Sequence, residues 1–590
     1  MERRAYEFEI LTGDGLSVSQ AVKTVLGVDY LTFKIGSDGA APLGVTEIKW
    51  KCSAVDVHAF WRPNVDRNRN LLVNWDSDIA KSAPVGCFFS SLGLNRLTFA
   101  FSDALNRVRI RASVNEETGV LHCSMFLFEG NVPPLREYEA VLRLDCREIP
   151  YHDVLGDVEA WWRDGDTERL FPVPLAAREP AYSTWYSMHQ DLSAERIEQQ
   201  CSLGKAFGCE VVIVDDGWQT TGLQRGYAYC GDWNVSENKI SDMAAHVARV
   251  HAMGMRYVLW YAVPFVGIHS RVWSQFQDKL LGKIDRLGAG VLDPRFPEVR
   301  AHLVQVYESA VRDWDLDGLK LDFIDSFSDV PEGERLTGGG RDMDSVPLAV
   351  NALMAEIARR IREHKPDALI EFRQNYVGPL MRGYGNMLRA ADCPYDALQN
   401  RVRTIDVRLL CGETAAHADM LMWHGEERAE TAALQIINVL FAVPQISVRL
   451  DELSLDHAAM LKFWLGFWRQ NRDVLLDGQL RPAHPELLYP MVAACTPEKL
   501  LIVAYADVVI ELERVSQESS VILVNGTQKD HLVVDVRKDI PDSKVVVRDC
   551  RGVVVDQFRQ AFSKGLHRMW APESGLITLA VPVSVAKSDH

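Results

Sequence analysis

GLKLDFI (residues 318–324) is a short apolar run carrying two charges, Lys320 and Asp322, two positions apart. Side chains alternate along a strand, so both charges fall on one face. A charged pair inside an apolar run fits the interior of a closed sheet better than a surface strand. Amphipathic stretches flank it, VRAHLVQVYESAVRDW (299–314) before and AVNALMAEIARRIREH (349–364) after. Outward from this unit the rhythm repeats. Strand-like runs are AYSTWYS (181–187), EVVIVDD (210–216), RYVLWYAV (256–263), ALIEFRQ (368–374), NMLRAAD (386–392), HADMLMW (417–423) and PQISVRL (444–450). Helical patterns lie between them, among them 194–208, 243–254, 403–412 and 431–442, and LDHAAMLKFWLGFWRQNRDVLL (455–476) reads as the last helix. Eight β-then-α units in about 300 residues predict a (β/α)8 barrel. A doubly wound sheet is the alternative, but no GxGxxG turn follows the first strand.

On either side the pattern is β-rich. LTFKI, HAFWR, LLVNW, LTFAFS, RVRIRASV, LHCSMFLF and YEAVLRL precede the barrel, separated by Gly, Asn, Asp or Pro, as in a sandwich. LLYPMVAAC, KLLIVAYAD, SVILVNG, HLVVDV, KVVVRD and GLITLAV follow it. The expected fold is multidomain α/β: a β-sandwich over 1–175, a catalytic barrel over 176–480 and a smaller all-β domain over 481–590. WRDGDTERLFPVPLAAREP (162–180) is the polar crossover between the first two.

The chain has 590 residues, 47% hydrophobic and 25% charged, with a formal charge of -17. That acidity argues against a nucleic-acid partner, which needs a basic surface. MERRAYEFEI lacks the apolar core of a secretion signal, and no run of about 18 apolar residues suggests a membrane span. Eleven scattered cysteines without a CxxC pair fit a reducing compartment. The expectation is a cytoplasmic protein with no membrane or nucleic-acid partner, no cofactor and no metal. A homo-oligomer is left open.

Barrel chemistry sits at the C-terminal ends of the strands. Those ends carry Asp215-Asp216-Gly217-Trp218, Lys320 with Asp322, Arg373-Gln374-Asn375, and Asp392 followed by Asp396 and Arg401. Trp185 and Trp260 stand on the first and third strands. Carboxylates and Lys suit the hydroxyl rim of a sugar, and indoles suit its CH faces. Glycoside cleavage needs one carboxylate to attack and one carboxylic acid to protonate the leaving oxygen. An ammonium beside Asp322 would keep it ionised, as a nucleophile requires. Each signal has a plainer alternative. Paired Asp can cap a helix, KxD can be a structural ion pair, Asp392 before Cys393-Pro394 can start a turn, and Trp464 and Trp468 read as core. A Schiff-base aldolase with Lys320 as amine is disfavoured by its ionised neighbour. His417, Asp419 and His424 lack a metal motif. A non-catalytic sugar binder would have no need of both Asp322 and Asp392.

At these positions the chain resembles glycoside hydrolase family 36, in the clan of α-galactosidases. EVVIVDDGWQT resembles its DDGW strand, GLKLDF its KxD nucleophile strand, and LRAADCPYDALQNRVRTI its acid/base strand. PQISVRLDELSLD and the segment from Leu475 to Asp507 resemble its last strand and the entry to its C-terminal domain. The resemblance is strong from Trp185 to Asp507 and architectural before that. It implies a retaining enzyme that removes terminal α-galactosyl residues from oligosaccharides, with Asp322 as nucleophile and Asp392 as acid/base. It further implies that Asp215 and Asp216 hold O4 and O6, Lys320 a ring hydroxyl and Arg401 the O2 side, with Trp260 lining the pocket; Trp185 and Trp218, at the strand ends, are further candidates for the sugar. The chain also departs from the family. Arg373 stands where the family has Cys, beside Gln374 and Asn375 instead of a Ser-Gly-Gly segment. Arg389 stands where it often has Trp, and Trp260-Tyr261-Ala262-Val263-Pro264 replaces Trp-x-Glu-Pro. Two cations at the mouth would favour an anionic or unusually substituted glycoside. An α-N-acetylgalactosaminide and transglycosylation are the other variants of the same mechanism.

Overall fold

The computed structural model describes residues 8–581 apart from 42, 65, 130–132, 165–169, 224, 329–338 and 514–519. Eight parallel strands form the centre: β1 (Ala181–Ser183), β2 (Val211–Val214), β3 (Arg256–Ala262), β4 (Gly318–Asp322), β5 (Leu369–Arg373), β6 (Met387–Arg389), β7 (Ala415–His417) and β8 (Gln445–Ile446). Their order is β7-β6-β5-β4-β3-β2-β1-β8. Parallel bridges His417–Val443 and Leu421–Ile446 join the two ends, so the sheet rolls into the expected barrel. Every position of β2, β4, β6 and β7 is buried, as it must be where helices cover one face and side chains fill the other.

The helices fall on the amphipathic stretches. Ala194–Phe207 is capped by Ser193, Met243–Ala252 by Asp242 and Val346–His364 by Ser345, each side chain accepting a bond from an amide in the first turn. Two details depart from the reading. The helix after β6 is Ala397–Arg408, six residues earlier than its apolar pattern suggested, because Asp396 caps it. A small antiparallel sheet (Phe265–Gly267, Leu280–Ile284, Ala289–Leu292) is inserted after β3.

Before the barrel, a five-stranded and a six-stranded antiparallel sheet enclose an aromatic core of Phe33, Trp50, Phe60, Phe88 and Phe99. The strand-like runs read there lie in these sheets, joined by Phe8–Leu11, Ser17–Val25, Thr46–Ser53 and Val85–Phe89. The helix Tyr151–Asp164, which the β-rich reading did not contain, then leads to the crossover, of which 165–169 lie outside the described residues. After the barrel, seven- and three-stranded sheets pack around Leu523, Val534 and Val545. Buried Asp406 ties the three regions together. It pairs with Arg69 at 2.8 Å and accepts bonds from Trp61 (2.9 Å) and from Tyr489 beyond the barrel (2.6 Å). Among the described residues no helix is long and apolar enough to cross a membrane.

Candidate active site

Asp322 ends β4 and is almost buried. One oxygen accepts from the Arg373 Nε (2.9 Å) and the Phe323 amide (2.8 Å), with the Tyr376 hydroxyl at 3.0 Å. The other accepts from the Trp260 indole at 3.1 Å. Burial opposes ionisation here, but Arg373, Lys320 and Arg389 outweigh it and hold the carboxyl well below the usual range. The group is an anion fixed in orientation by four donors.

Asp215 and Asp216 follow β2. Lys320 donates to Asp215 at 2.5 Å, and Asp215 also accepts the Asp216 amide. Asp216 accepts from Gln190 and Gln219, both at 2.7 Å. Burial raises the pKa of both, that of Asp216 to about 6. No helix starts here, so the pair is not a cap. Gly217 adopts φ 123°, and a Cβ there would sit 2.6 Å from the Gln190 backbone, which explains the glycine.

Asp392 lies three residues beyond β6, its side chain half exposed. Its partner is Arg389 at 2.9 Å. Arg389 is fully buried and also meets Asp419 at 2.6 Å and Glu371 at 3.3 Å. Burial would raise the pKa of Asp392 and Arg389 pulls it down. The net direction is down, with the charge of Asp322 acting the other way.

Several residues expected at the sugar have partners within the protein. Trp218 is fully buried, donates to the Trp260 carbonyl (2.9 Å) and packs on Trp233, Tyr261 and Trp314. It is core behind the site, not a platform. Trp260 is equally buried and donates its indole N–H to Asp322. Gln374 is buried and accepts from the Ala391 amide, bracing the turn before Asp392. Asn375 donates to Asp325 at 3.3 Å. Trp185 is half-buried against His189, with Arg225 over its ring.

Arg401 does not reach the mouth. It donates to the Leu488 carbonyl (3.0 Å) and to Asn438, and stacks on Tyr505 at 4.2 Å, which makes it a tether to the C-terminal region. Residues two apart on a helix lie about 200° apart around it. Arg403 therefore faces the other way and donates to the Asp392 carbonyl at 2.7 Å. Nor do Arg373 and Arg389 bring spare charge to the mouth. Arg373 is committed to Asp322 and Asp325 (3.5 Å), and Arg389 to three carboxylates.

Residues not assigned to a sugar site from the sequence complete the cluster: Tyr376, Glu371, Asp419, which enters the sequence reading only as a candidate metal ligand, Tyr186, which donates to Asp419 at 2.9 Å, and Tyr227, whose ring packs on Trp260 and Phe323. Glu371 carried a signal, since it precedes Arg373 on β5 with the spacing of Lys320 and Asp322 on β4.

A parallel eight-stranded barrel between two β regions, with paired carboxylates at its C-terminal mouth, defines the class to compare. Residues 176–371 match the Melibiase family model. The structure superposes on a family 36 α-galactosidase from Geobacillus stearothermophilus, solved with 1-deoxygalactonojirimycin, with a TM-score of 0.65 at 14% identity, covering 98% of this chain and 83% of that one. The α-galactosidase from Lactobacillus brevis gives 0.67 at 13% identity, covering 99% and 86%. A curated relative, the bifunctional α-galactosidase/sucrose kinase AgaSK of Mediterraneibacter gnavus, is 25% identical over 97 residues, which are 16% of this chain and 10% of that protein. Residues 176–371 thus match the Melibiase model, and the chain as a whole shares the fold of the solved family 36 α-galactosidases, the family its sequence motifs resemble.

Proposed function

We propose that the protein is a retaining α-glycosidase acting on terminal α-galactosyl residues of oligosaccharides. The observation that carries this is the contrast at the mouth: a buried carboxylate gripped by four donors and kept ionised by the cations around it, and a half-exposed carboxyl bound, among the described residues, by Arg389 alone, with Arg403 on its backbone carbonyl. Asp322 attacks the anomeric carbon and forms a glycosyl ester as the glycosidic bond breaks. Asp392 gives its proton to the leaving oxygen, then takes one from the water that cleaves the ester. Asp322 keeps its charge until the transition state, where that charge meets the developing oxocarbenium ion. Asp215 and Asp216 clamp neighbouring hydroxyls, with Lys320 fixing the clamp. In support, related structures of the same fold were solved with stachyose and with raffinose.

Galactose and glucose differ in the direction of O4. A hydrogen bond to a charged group contributes about 1.5–3 kcal/mol. Aryl α-galactoside turnover should therefore exceed α-glucoside turnover at least about tenfold. Asp216→Asn should shrink that ratio, and product NMR should find the α-anomer released first. Equal rates on the two sugars would overturn the galactose assignment, and a β-anomer released first would overturn retention.

A further inference from the structure

A cavity of about 460 Å³ lies between the N-terminal sandwich and the barrel mouth, a size typical of small-ligand sites. The barrel contributes Asp325 and Asn375, and the sandwich contributes Arg62, Trp75, Asp76 and Lys81. It is one side chain away from the nucleophile, because Arg373 bridges Asp322 (2.9 Å) and Asp325 (3.5 Å).

The charges on its wall are unbalanced. Asp76 is neutralised by Arg107 at 2.7 Å and Arg109 at 3.0 Å. Asp325 meets Arg373 and accepts from Asn375. Arg62 and Lys81 are different. Among the described residues neither pairs with a carboxylate within 4.0 Å, although the chain carries a formal charge of -17. Arg62 lies 5.1 Å from the centroid of the Trp75 ring, which fixes the guanidinium without spending its hydrogen bonds. Two cations with no carboxylate within 4.0 Å, beside two carboxylates that each meet another arginine, leave positive charge to offer on this wall.

The backbone around it is held in uncommon conformations. Asn64 (φ 58°), Ser82 (φ 60°) and Asn375 (φ 116°) all have positive φ without being glycine, and the Ser82 amide donates to the Asn375 carbonyl across the domain boundary. Such strain collects at functional sites. The Asn64 Oδ1 and the buried Ser82 Oγ have no hydrogen-bond partner among the described residues.

The side of the site on which the cavity lies follows from the acid. Asp392 must reach the leaving oxygen, so the leaving group lies on its side of the cleavage point. The sandwich loop carrying Arg62 and Asn64 is pinned there. Asp66 accepts from Arg403 at 2.8 Å, and Arg403 donates to the Asp392 carbonyl.

We propose that this cavity receives the leaving-group side of the substrate and selects a leaving group that carries a negative charge, recognised by Arg62 and Lys81. The assignment rests on the glycosidase reading above and deepens it. It moves the expected preference for an anion from the glycone, where Arg373 and Arg389 are already spent, to the leaving group, where two cations are not.

The test compares kcat/KM of the full chain for 3-carboxyphenyl α-galactoside and its uncharged 3-carbamoylphenyl counterpart. The carboxylate should be preferred about tenfold at low salt, as one charge-assisted hydrogen bond allows. Raising NaCl to about 0.5 M should collapse the ratio, since it screens partly exposed charges. This arm uses the wild-type protein and does not depend on any variant folding. Arg62→Gln and Lys81→Met should each bring the ratio towards one. Calorimetry should find D-glucuronate binding more tightly than D-glucose, with the difference lost in Arg62→Gln. Hydrolysis of both aryl galactosides at equal kcat/KM, or equal binding of the two sugars, overturns the anion assignment and leaves the glycosidase reading standing. Hydrolysis of neither galactoside overturns the galactosidase reading and the leaving-group assignment with it.

Discussion

The two carboxyl groups at the mouth stand in opposite surroundings. Asp322 is the last residue of a strand, its side chain 11% exposed and gripped by four donors. Asp392 is three residues beyond its strand, its side chain 50% exposed and bound to a single arginine that it shares with Asp419 and Glu371. On the proposed mechanism the difference separates two jobs. A nucleophile needs one orientation and a permanent charge, which a rigid strand end and a ring of donors supply. An acid/base must pick up and release a proton within one cycle, so it needs room to move and a counter-ion that does not belong to it alone.

Removing the nucleophile should have the largest effect. Asp322→Ala should lower kcat by at least about 10⁴-fold, the scale on which a nucleophile's removal is felt. The Ala leaves room for azide, which should restore turnover and give the β-galactosyl azide. Near wild-type activity in this variant would erase the contrast altogether.

Asp392→Ala should cost about 10²–10⁴-fold on an oligosaccharide, the usual worth of general acid catalysis, and far less on a dinitrophenyl galactoside that needs no proton. Azide should here give the α-product, because the ester still forms on Asp322. Equal losses on both substrates would make Asp392 a positioning residue instead.

Arg389 decides how sharp the contrast is. Arg389→Gln would leave Asp392, Asp419 and Glu371 without their shared cation. Breaking a buried pair from one side costs about 3–5 kcal/mol, to be read by urea unfolding. On the proposed mechanism activity should fall as pH rises, because Asp392 would have to be protonated to act, and Arg389 lowers its pKa. Removing the cation raises that pKa, so the high-pH limb of kcat/KM should move to higher pH. A limb that stays in place would mean that another group supplies the proton.

Most of the barrel was legible because its two periods differ. Short apolar runs such as EVVIVDD and helical stretches such as 349–364 cannot be exchanged, and most fall on the strand or helix expected of them, the run 417–423 and the helix 403–412 being offset. The helix Tyr151–Asp164 was hard to read because it directly follows a long run of strands. Within the site, residues on strand ends could be read from alternation alone. Tyr376, Asp419 and Tyr227 could not, since each reaches the cluster from a loop whose path depends on the whole fold. Trp218 illustrates the opposite error. It follows two carboxylates, yet a turn at Gly217 directs it into the core.

Arg401 sets the smallest expected effect and tests how far positional resemblance can be trusted. Its guanidinium holds the Leu488 carbonyl and Asn438 and stacks on Tyr505, so what it supports is the packing of the last domain on the barrel. Arg401→Gln removes two bonds made by a charged group and one cation–π contact. Hydrogen bonds of this kind contribute about 1.5–3 kcal/mol each, so thermal unfolding should occur at a measurably lower temperature. Turnover is a separate matter, because neither Asp322 nor Asp392 touches this side chain. The variant should keep kcat/KM within about twofold, an effect below 0.5 kcal/mol, and its ratio between α-galactoside and the 2-deoxy analogue should match that of the wild type. A selective loss on the substrate that carries O2 would return Arg401 to the sugar and show that the side chain swings into the mouth when substrate binds.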